Sequence, residues 1–220
     1  MTTQSTNPVI EKVRKALGRT ERLKQPPTPP LIDDHIARLV ATESGLPELF
    51  QKRAREMKML VDFVSADEVL PRIAEFLREQ KCRSVMLSDT PVLTKLDAVG
   101  YLNSNGLQAQ SWSQMSADSA YDVDAGVTEA DYAVAETGTL AIRHSPQHGR
   151  LLSLVPFVHV AVIESRIIVP DLIDLFDRLA KEGVGSGVTL ISGPSKTADI
   201  EMNTVTGVHG PNVVKTFILA

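Results

Sequence analysis

A polar turn set between two apolar runs holds the first residues that could do chemistry in this chain. Its sequence is Glu136-Thr137-Gly138-Thr139, with an apolar run before it and Leu-Ala-Ile after it. Glycine adopts positive φ readily, so the pattern predicts two strands joined by a tight hairpin turn. Glu136 at the mouth of that turn is either an exposed turn residue or a carboxylate placed to act as an acid, a base or a nucleophile.

A second polar turn, Ser-Gly-Pro-Ser at 192–195, follows the β-branched run 188–191, which predicts a buried strand. Loops held at strand ends commonly carry binding residues, so we predict an anion-binding loop here. The same composition also suits a solvated connection whose hydroxyl groups only cap backbone atoms. The donors that the loop would offer belong to Ser192, Gly193, Ser195, Lys196 and Thr197.

More polar residues follow this loop. Asp199 and Glu201 alternate with Thr197, and together with Glu136 they are the carboxylates that could work as an acid–base pair. Taken singly, Asp199 could equally cap a helix that begins after Thr197, and Glu201 could be a solvated side chain. His209 comes directly before a Gly-Pro turn.

Four histidines bear on metal binding. His159 lies inside an apolar strand pattern, where a satisfied core histidine is the expected state. His144, His148 and His209 lie in predicted loops, and we predict no metal site from them. The sequence contains no glycine-rich nucleotide loop and no Gly-x-Ser-x-Gly nucleophile motif.

The composition excludes several classes of protein. The chain has 220 residues, 43% of them hydrophobic and 23% charged, which fits one α/β domain or one domain with an appendage. A net charge of -4 argues against nucleic acid as a main partner. The single cysteine, Cys82, cannot form an internal disulfide or hold a four-thiolate iron–sulfur cluster, and we expect it to be reduced and structural. We predict no secretion signal and no membrane span, and therefore a cytoplasmic protein.

Strand and helix patterns alternate in the first half of the chain. The runs 60–64, 84–87 and 107–110 have strand character with helical patterns between them, which predicts a mostly parallel, doubly wound sheet. From residue 121 onward, short apolar pieces with little helix between them predict a β-rich insertion of hairpins on or beside that sheet. An amphipathic helix is predicted over 171–181, with its inward side chains being Leu172, Leu175, Phe176 and Leu179.

The N-terminal part of the chain is predicted to form an arm. A short helix begins at Pro8, and the Pro-rich segment 24–30 is a linker without regular structure. A further helix is predicted over 33–42. We therefore divide the chain into an arm with its linker over residues 1–30 and a single α/β domain over residues 31–220.

Three segments together resemble the lactate-utilization (LUD) domain family. They are GVTEADYAVAETGTL at 126–140, HGRLLSLVPFVHV at 148–160 and SGPSKTADIEMNTVTGVHGP at 192–211. Their order and spacing are similar to those of small stand-alone members of the family, and the likeness is looser before residue 124. The resemblance implies a fold similar to that of the sugar-phosphate isomerases, CoA-transferases and formyltetrahydrofolate cyclo-ligases, with an α/β sheet core and a β-rich insertion.

The resemblance also implies a function. Proteins of this type act with two iron–sulfur partners in oxidising L-lactate to pyruvate, so this chain would be the subunit that carries no cluster. No cofactor is expected on this chain alone, and the iron–sulfur clusters are expected on the partners. Two other interpretations stay open: a stand-alone enzyme acting on a phosphorylated sugar, a CoA ester or a folate, and a non-catalytic assembly or regulatory module that uses the arm.

The positions that match the family imply a site for a small anionic ligand. Arg150 would anchor a carboxylate or phosphate through a bidentate pair. Glu136 or Glu201 would be the catalytic acid or base, and analogy with the CoA-transferases makes Glu136 a conceivable nucleophile. The ligand-binding residues would be Thr137, Gly138, Thr139, Arg150, Ser192, Gly193, Ser195, Thr197, Asp199 and His209.

Overall fold

The computed structural model describes six stretches of the chain, which are residues 7–19, 38–40, 45–116, 118–198, 204–206 and 210–219. The α-helices in these stretches are α1 (Pro8–Ala16), α2 (Leu46–Glu56), α3 (Val69–Glu79), α4 (Pro91–Lys95), α5 (Ala98–Ser104), α6 (Leu151–Leu154) and α7 (Leu172–Glu182). The strands are β1 (Leu60–Val64), β2 (Ser84–Leu87), β3 (Gln108–Ser111), β4 (Ala125–Glu129), β5 (Tyr132–Val134), β6 (Thr139–Arg143), β7 (Val158–Glu164), β8 (Ile168–Val169), β9 (Val188–Ile191), β10 (Lys196–Ala198), β11 (Thr204–Thr206) and β12 (Val213–Leu219).

The chain forms two compact units, residues 1–36 and residues 37–220. In the first unit, the predicted helix is present as α1, where the Asn7 side chain accepts a hydrogen bond of 3.0 Å from the Val9 N–H. The predicted linker at 24–30 lies outside the described residues. So does most of the helix predicted to follow it, and the part that is described, residues 38–40, is not helical.

Six parallel strands form the main sheet of the second unit, in the order β1-β12-β7-β4-β2-β3. Each neighbouring pair runs parallel, and the central strand β7 is buried from Val158 to Ile163. Such continuous burial is expected because both faces of a parallel sheet are covered. The mainly parallel α/β fold predicted from the sequence is confirmed. No helix within the described stretches is long and apolar enough to cross a membrane.

Helices α3, α4 and α5 cover one face of the main sheet. Val69, Ile73 and Leu77 of α3 share one side of the helix and are all buried in the same cluster as Val85 and Val160 of the sheet. This i, i+4, i+8 spacing produces the apolar stripe that the sequence shows. Burying one such side chain contributes about 1.5–3 kcal/mol, so this face is a major source of stability.

A second sheet and α2 cover the other face. The second sheet has the order β8-β5-β6-β9, and β5 and β6 form the antiparallel hairpin predicted around Gly138. Phe50 of α2 and Leu140 of β6 are fully buried in one cluster with Ala161 and Ile218 of the main sheet. The predicted β-rich insertion is therefore a layer that replaces crossover helices on this face.

Helix α7 covers the outer face of the second sheet. Leu175 and Leu179 are buried there as predicted, but Phe176 is 54% exposed, so its predicted inward orientation is wrong. Successive residues in a helix differ by about 100° in direction, so Phe176 lies about 100° from Leu175 and about 60° from Leu179, at the edge of the buried stripe.

The strand order creates a switch point in the main sheet. The chain passes from β2 outward to β3, and then returns to place β4 on the opposite side of β2. In open parallel sheets, ligands bind in the crevice at the carboxyl ends of strands where the direction of winding reverses. The carboxyl ends of β2 and β4 are therefore the place where this topology favours a site.

A substitution in the hairpin turn would test the packing between the second sheet and α2. Gly138 has φ +63°, and a Cβ added there would lie 2.2 Å from the Ala54 backbone nitrogen. We expect Gly138→Ala to lower the free energy of unfolding by about 3 kcal/mol, because positive φ and steric overlap each cost about 1–2 kcal/mol. Urea unfolding would measure the change.

Gly106→Ala is the matched control for this prediction. Gly106 has φ +82° and nothing within 4 Å of an added Cβ, so only the backbone cost of about 1–2 kcal/mol applies. Equal losses in the two variants would contradict the close contact between the turn and α2.

Candidate functional site

A cavity of about 400 Å³ lies at the switch point. One part of its wall comes from Thr90, which follows β2, and from Glu129, which ends β4. The rest comes from the end of β6 and from the start of the connection between α7 and β9. Its lining residues are Thr90, Pro91, Glu129, Ala130, Asp131, Arg143, His144, Ser145, His148, Glu182, Gly183 and Gly185. The cavity thus combines hydroxyl, carboxylate, imidazole and guanidinium groups that come from distant parts of the sequence.

Arg143 is held in place by two carboxylates. Its backbone N–H and its Nε each donate a hydrogen bond of 2.8 Å to Asp131, and its Nη1 lies 3.1 Å from Glu182 Oε2. Tyr132 donates to the other oxygen of Glu182 at 2.5 Å. The hydrogen bond with Asp131 raises the pKa of Arg143, so the guanidinium remains charged. Its Nη2 has no hydrogen-bond partner among the described residues.

Glu129 is positioned by the start of α4. Its Oε1 accepts a hydrogen bond of 2.8 Å from the Leu93 N–H, which is one of the backbone donors that no carbonyl satisfies at a helix start. Its Oε2 has no partner within the described part of the chain. Thr90, which precedes α4, shares a hydrogen bond of 2.9 Å with Ser88.

His144 and His148 lie at the two ends of a small closed loop. Ser145 and His148 exchange backbone hydrogen bonds of 3.2 and 3.1 Å, and the two imidazole rings are nearly perpendicular with centroids 6.3 Å apart. His144 Nε2 lies 2.6 Å from Thr189 Oγ1 on β9. Only 4% of His144 and 3% of His148 is exposed, so both rings are fixed at the cavity wall.

Burial keeps both imidazoles neutral. It lowers the pKa of His148 to about 4, although Asp131 opposes this effect. It also lowers the pKa of His144, with the charge of Arg150 acting in the same direction and the His148 backbone acting against it. A neutral imidazole has one donor and one acceptor nitrogen, and in His144 the Nε2 is already paired with Thr189.

A third buried histidine lies behind this pair. His159 is fully buried in β7, its Nε2 lies 2.9 Å from Thr128 Oγ1, and burial together with His148 lowers its pKa to about 3. His144 Nδ1, His148 Nε2 and His159 Nδ1 have no hydrogen-bond partner of good geometry within the described stretches. His159 was expected to be a satisfied core histidine, but only one of its ring nitrogens is paired. A buried polar atom without a partner costs about 1–3 kcal/mol.

No role was predicted from the sequence for this histidine group, for Arg143 or for Glu129. One usable signal was present, because His144-Ser145-Pro146-Gln147-His148 has the i, i+4 histidine spacing. The described residues nevertheless include no group of three histidine, cysteine, aspartate or glutamate side chains arranged to hold a metal ion.

The two turns singled out in the sequence do meet. Pairing of β6 with β9 places Leu140 opposite Ile191, which brings the following Ser192 beside Thr139. Thr137 donates to Thr139 at 2.7 Å, and Thr139 lies 2.7 Å from Ser192. We call Thr137, Thr139 and Ser192 the hydroxyl cluster. Glu136, part-buried, donates its backbone N–H to the Pro170 carbonyl at 3.0 Å.

The glycines of these turns are needed for packing against α2. Gly138 lies against Ala54, and a Cβ on Gly193 would lie 2.3 Å from the carbonyl oxygen of Met57, at the C-terminal end of α2. Lys196 Nζ also points at this oxygen, at 3.5 Å. A helix C-terminus carries partial negative charge, which disfavours an anion nearby. The anion-binding loop stays a prediction with this feature against it.

The remaining predicted residues fall in several places. Ser195 donates its backbone N–H to the Pro211 carbonyl at 2.8 Å, and Thr197 lies in β10. Arg150 precedes α6, is exposed, and acts on His144 through its charge. Asp199, Glu201 and His209 lie outside the described residues.

The hydroxyl cluster and the cavity are separate features of the second sheet. They lie at opposite ends of β6, whose five residues span roughly 13 Å. Glu136, Thr137, Thr139 and Ser192 do not line the cavity. The structure therefore contains two polar regions where the sequence predicted one.

The buried histidines predict a loss of stability in mild acid. Their folded-state pKa values of about 4 and about 3, at His148 and His159, lie below the ordinary 6.5. Below pH 6.5 the unfolded chain therefore binds protons that the folded chain does not. Stability is fully present above pH 6.5 and falls as the pH decreases, by up to about 1.4 kcal/mol per pH unit for each histidine. Urea unfolding between pH 5 and pH 8 would measure this slope.

His148→Gln and His159→Gln should each reduce the slope by about one proton, with Asp62→Asn as the control. Burial raises the pKa of Asp62, but Lys215 and Arg72 lower it more, so this pKa lies below its ordinary value of 3.8. The carboxylate therefore does not titrate in the measured range. A slope that neither histidine variant changes would contradict the assignment.

Comparison with known proteins agrees with this architecture. The LUD domain family matches residues 47–219. Lactate utilization protein C of Halalkalibacterium halodurans is 28% identical over 219 residues, which cover 93% of this chain and 91% of that protein. Lactate utilization protein C of an Exiguobacterium species is 32% identical over 224 residues, covering 92% and 90%.

A solved structure has the same fold. It is the crystal structure of a DUF162 family protein from Deinococcus radiodurans, which is 22% identical and superposes with a TM-score of 0.62 over 82% of this chain and 99% of that one. The family match extends over most of the chain and includes both sheets and the cavity. The chain therefore belongs to the LUD domain family.

Proposed function

We propose that this protein acts in lactate utilization, as the cluster-free component of a system that oxidises L-lactate to pyruvate. The observation that carries the proposal is the nearly full-length match to two proteins named lactate utilization protein C, at 28% and 32% identity. Because the aligned regions cover at least nine-tenths of each relative, no large domain of those proteins is missing from this chain.

Oxidation of L-lactate to pyruvate releases two electrons and two protons, so the reaction needs an electron acceptor. This chain has one cysteine, and four thiolates hold a common iron–sulfur cluster. Cys82 is buried, and burial, with a smaller effect of Asp124, raises the pKa of its thiol to about 11. A buried neutral thiol is a poor metal ligand. The proposal therefore assigns the clusters, and the electrons, to iron–sulfur partner proteins.

The cavity at the switch point supports a role in handling a small polar molecule. It has a volume of about 400 Å³ and a wall of charged and hydrogen-bonding groups. Sites for small molecules are typically concave, with a few polar groups that fix the orientation of the ligand.

Deleting the gene should abolish growth on L-lactate as the only carbon source and leave growth on pyruvate unchanged. Pyruvate is the product of the proposed reaction, so its use bypasses the missing step and controls for general defects. Growth curves of the deletion strain, with and without the gene restored, would measure the effect. Normal growth of the deletion strain on L-lactate would contradict the proposal.

A tagged copy of the chain should co-purify with iron-containing proteins from cells grown on L-lactate. The purified assembly should reduce an artificial electron acceptor when L-lactate is added. Cys82→Ser should leave the iron content of the assembly unchanged, because the clusters would belong to the partners. Loss of iron in this variant would contradict the assignment of the clusters to the partners. Turnover of a sugar phosphate, a CoA ester or a folate by the isolated chain would contradict a role as a component of the lactate system.

A further inference from the structure

We propose that the cavity at the switch point is the binding site for a small 2-hydroxy carboxylate, with its carboxylate on Arg143 and its hydroxyl on Glu129. The identity of the acid rests on the proposed function. The location rests on the contacts around the cavity and differs from the site that the sequence predicted.

Arg143 is the group that recognises the carboxylate. Asp131 and Glu182 fix its Nε and Nη1, and its Nη2 has no partner in the described residues of the chain. A planar guanidinium held by two carboxylates presents its remaining donors in a fixed direction, which lowers the entropy lost on binding.

Glu129 is the group that recognises the hydroxyl. Leu93 occupies its Oε1, and its Oε2 has no partner among the residues that the structure describes. A carboxylate oxygen can only accept, so the matching ligand group is a donor such as a hydroxyl. His148, neutral and almost fully buried at the same wall, is the second group that could accept this hydrogen bond.

The charges of the wall set the strength of binding. Asp131 and Glu182 are both engaged by Arg143, and Glu182 also accepts from Tyr132, so neither carboxylate is left to repel the ligand at full strength. The wall still carries more carboxylates than guanidinium groups. We therefore expect a weak site, with a dissociation constant of the order of 1 mM.

The hydroxyl cluster is the competing location. Its side chains are already paired with one another, through Thr137, Thr139 and Ser192. It also lies beside the C-terminal carbonyls of α2, represented by Met57, whose partial negative charge opposes a carboxylate.

The test is titration of the purified full chain with L-lactate and with propanoate, which lacks the hydroxyl. Isothermal calorimetry would give the affinities, and ¹⁵N-histidine spectra would report on the rings at the wall. We expect L-lactate to bind about tenfold more tightly than propanoate and to shift the signals of His144 and His148, which the corresponding glutamine variants would assign.

Two variants separate the two contacts. Arg143→Lys should weaken both ligands about tenfold, because the fixed Nη2 donors are lost while the charge remains. Glu129→Gln should reduce the preference for L-lactate over propanoate about tenfold, because its oxygen can still accept from Leu93 but its amide nitrogen cannot accept from the ligand hydroxyl, whereas the loss of one negative charge acts on both ligands alike. A general collapse of the cavity would weaken both ligands equally in both variants.

Arg72→Gln is the matched control. Arg72 lies on α3, is also part-exposed, and forms ion pairs with Asp62 and Glu75. Its substitution should change neither affinity. Absence of binding by the wild-type chain, or binding that Ser192→Ala abolishes and Arg143→Lys leaves intact, would overturn the proposed site.

The outcomes separate this site from the proposed function. Loss of L-lactate growth in the deletion strain, without binding in the cavity, would keep the function and reject the site. Binding in the cavity, with normal L-lactate growth of the deletion strain, would keep the site for a 2-hydroxy carboxylate and reject the function. A strain carrying Arg143→Lys should grow slowly on L-lactate if both hold.

Discussion

The ion pair between Arg143 and Asp131 joins the end of β6 to the short connection between β4 and β5. Asp131 follows β4 almost directly, Arg143 ends β6, and Glu182 brings in the end of α7. One guanidinium therefore links the β4–β5 connection, the end of β6 and the end of α7. Partly exposed pairs of this kind contribute little stability singly, but the geometry they fix is specific. These three residues form part of the cavity wall beside the carboxyl ends of β2 and β4.

Burial then determines the chemistry of that wall. The same desolvation that lowers the pKa of His144, His148 and His159 makes the imidazoles neutral hydrogen-bonding groups near neutral pH. Neutral rings leave Arg143 as the main positive group at the wall. The site is therefore selective through the direction of its donors and acceptors more than through net charge.

The sequence predicted the features that depend on neighbouring residues. The parallel strands, the hairpin and the positive φ of Gly138 follow from local apolar patterns and turn chemistry, and the structure contains them. The cavity depends on which strands lie side by side. Thr90 and Glu129 come together only because β4 lies beside β2, and no local pattern encodes that order. Phe176 shares the i, i+3, i+4, i+7 spacing of Leu172, Leu175 and Leu179, but it lies at the edge of that stripe, and spacing alone does not show how wide a stripe the second sheet covers.

The two polar regions of the second sheet differ in how completely they are satisfied. In the hydroxyl cluster, Thr137, Thr139 and Ser192 pair with one another, so the network stabilises the turn without a ligand. At the cavity, two wall histidines each keep a buried ring nitrogen without a good partner in the described chain. Such groups cost about 1–3 kcal/mol each, against a typical total stability of about 5–15 kcal/mol. The hydroxyl cluster is thus paired internally, whereas at the cavity wall Arg143 Nη2 and Glu129 Oε2 are left without a partner among the described residues.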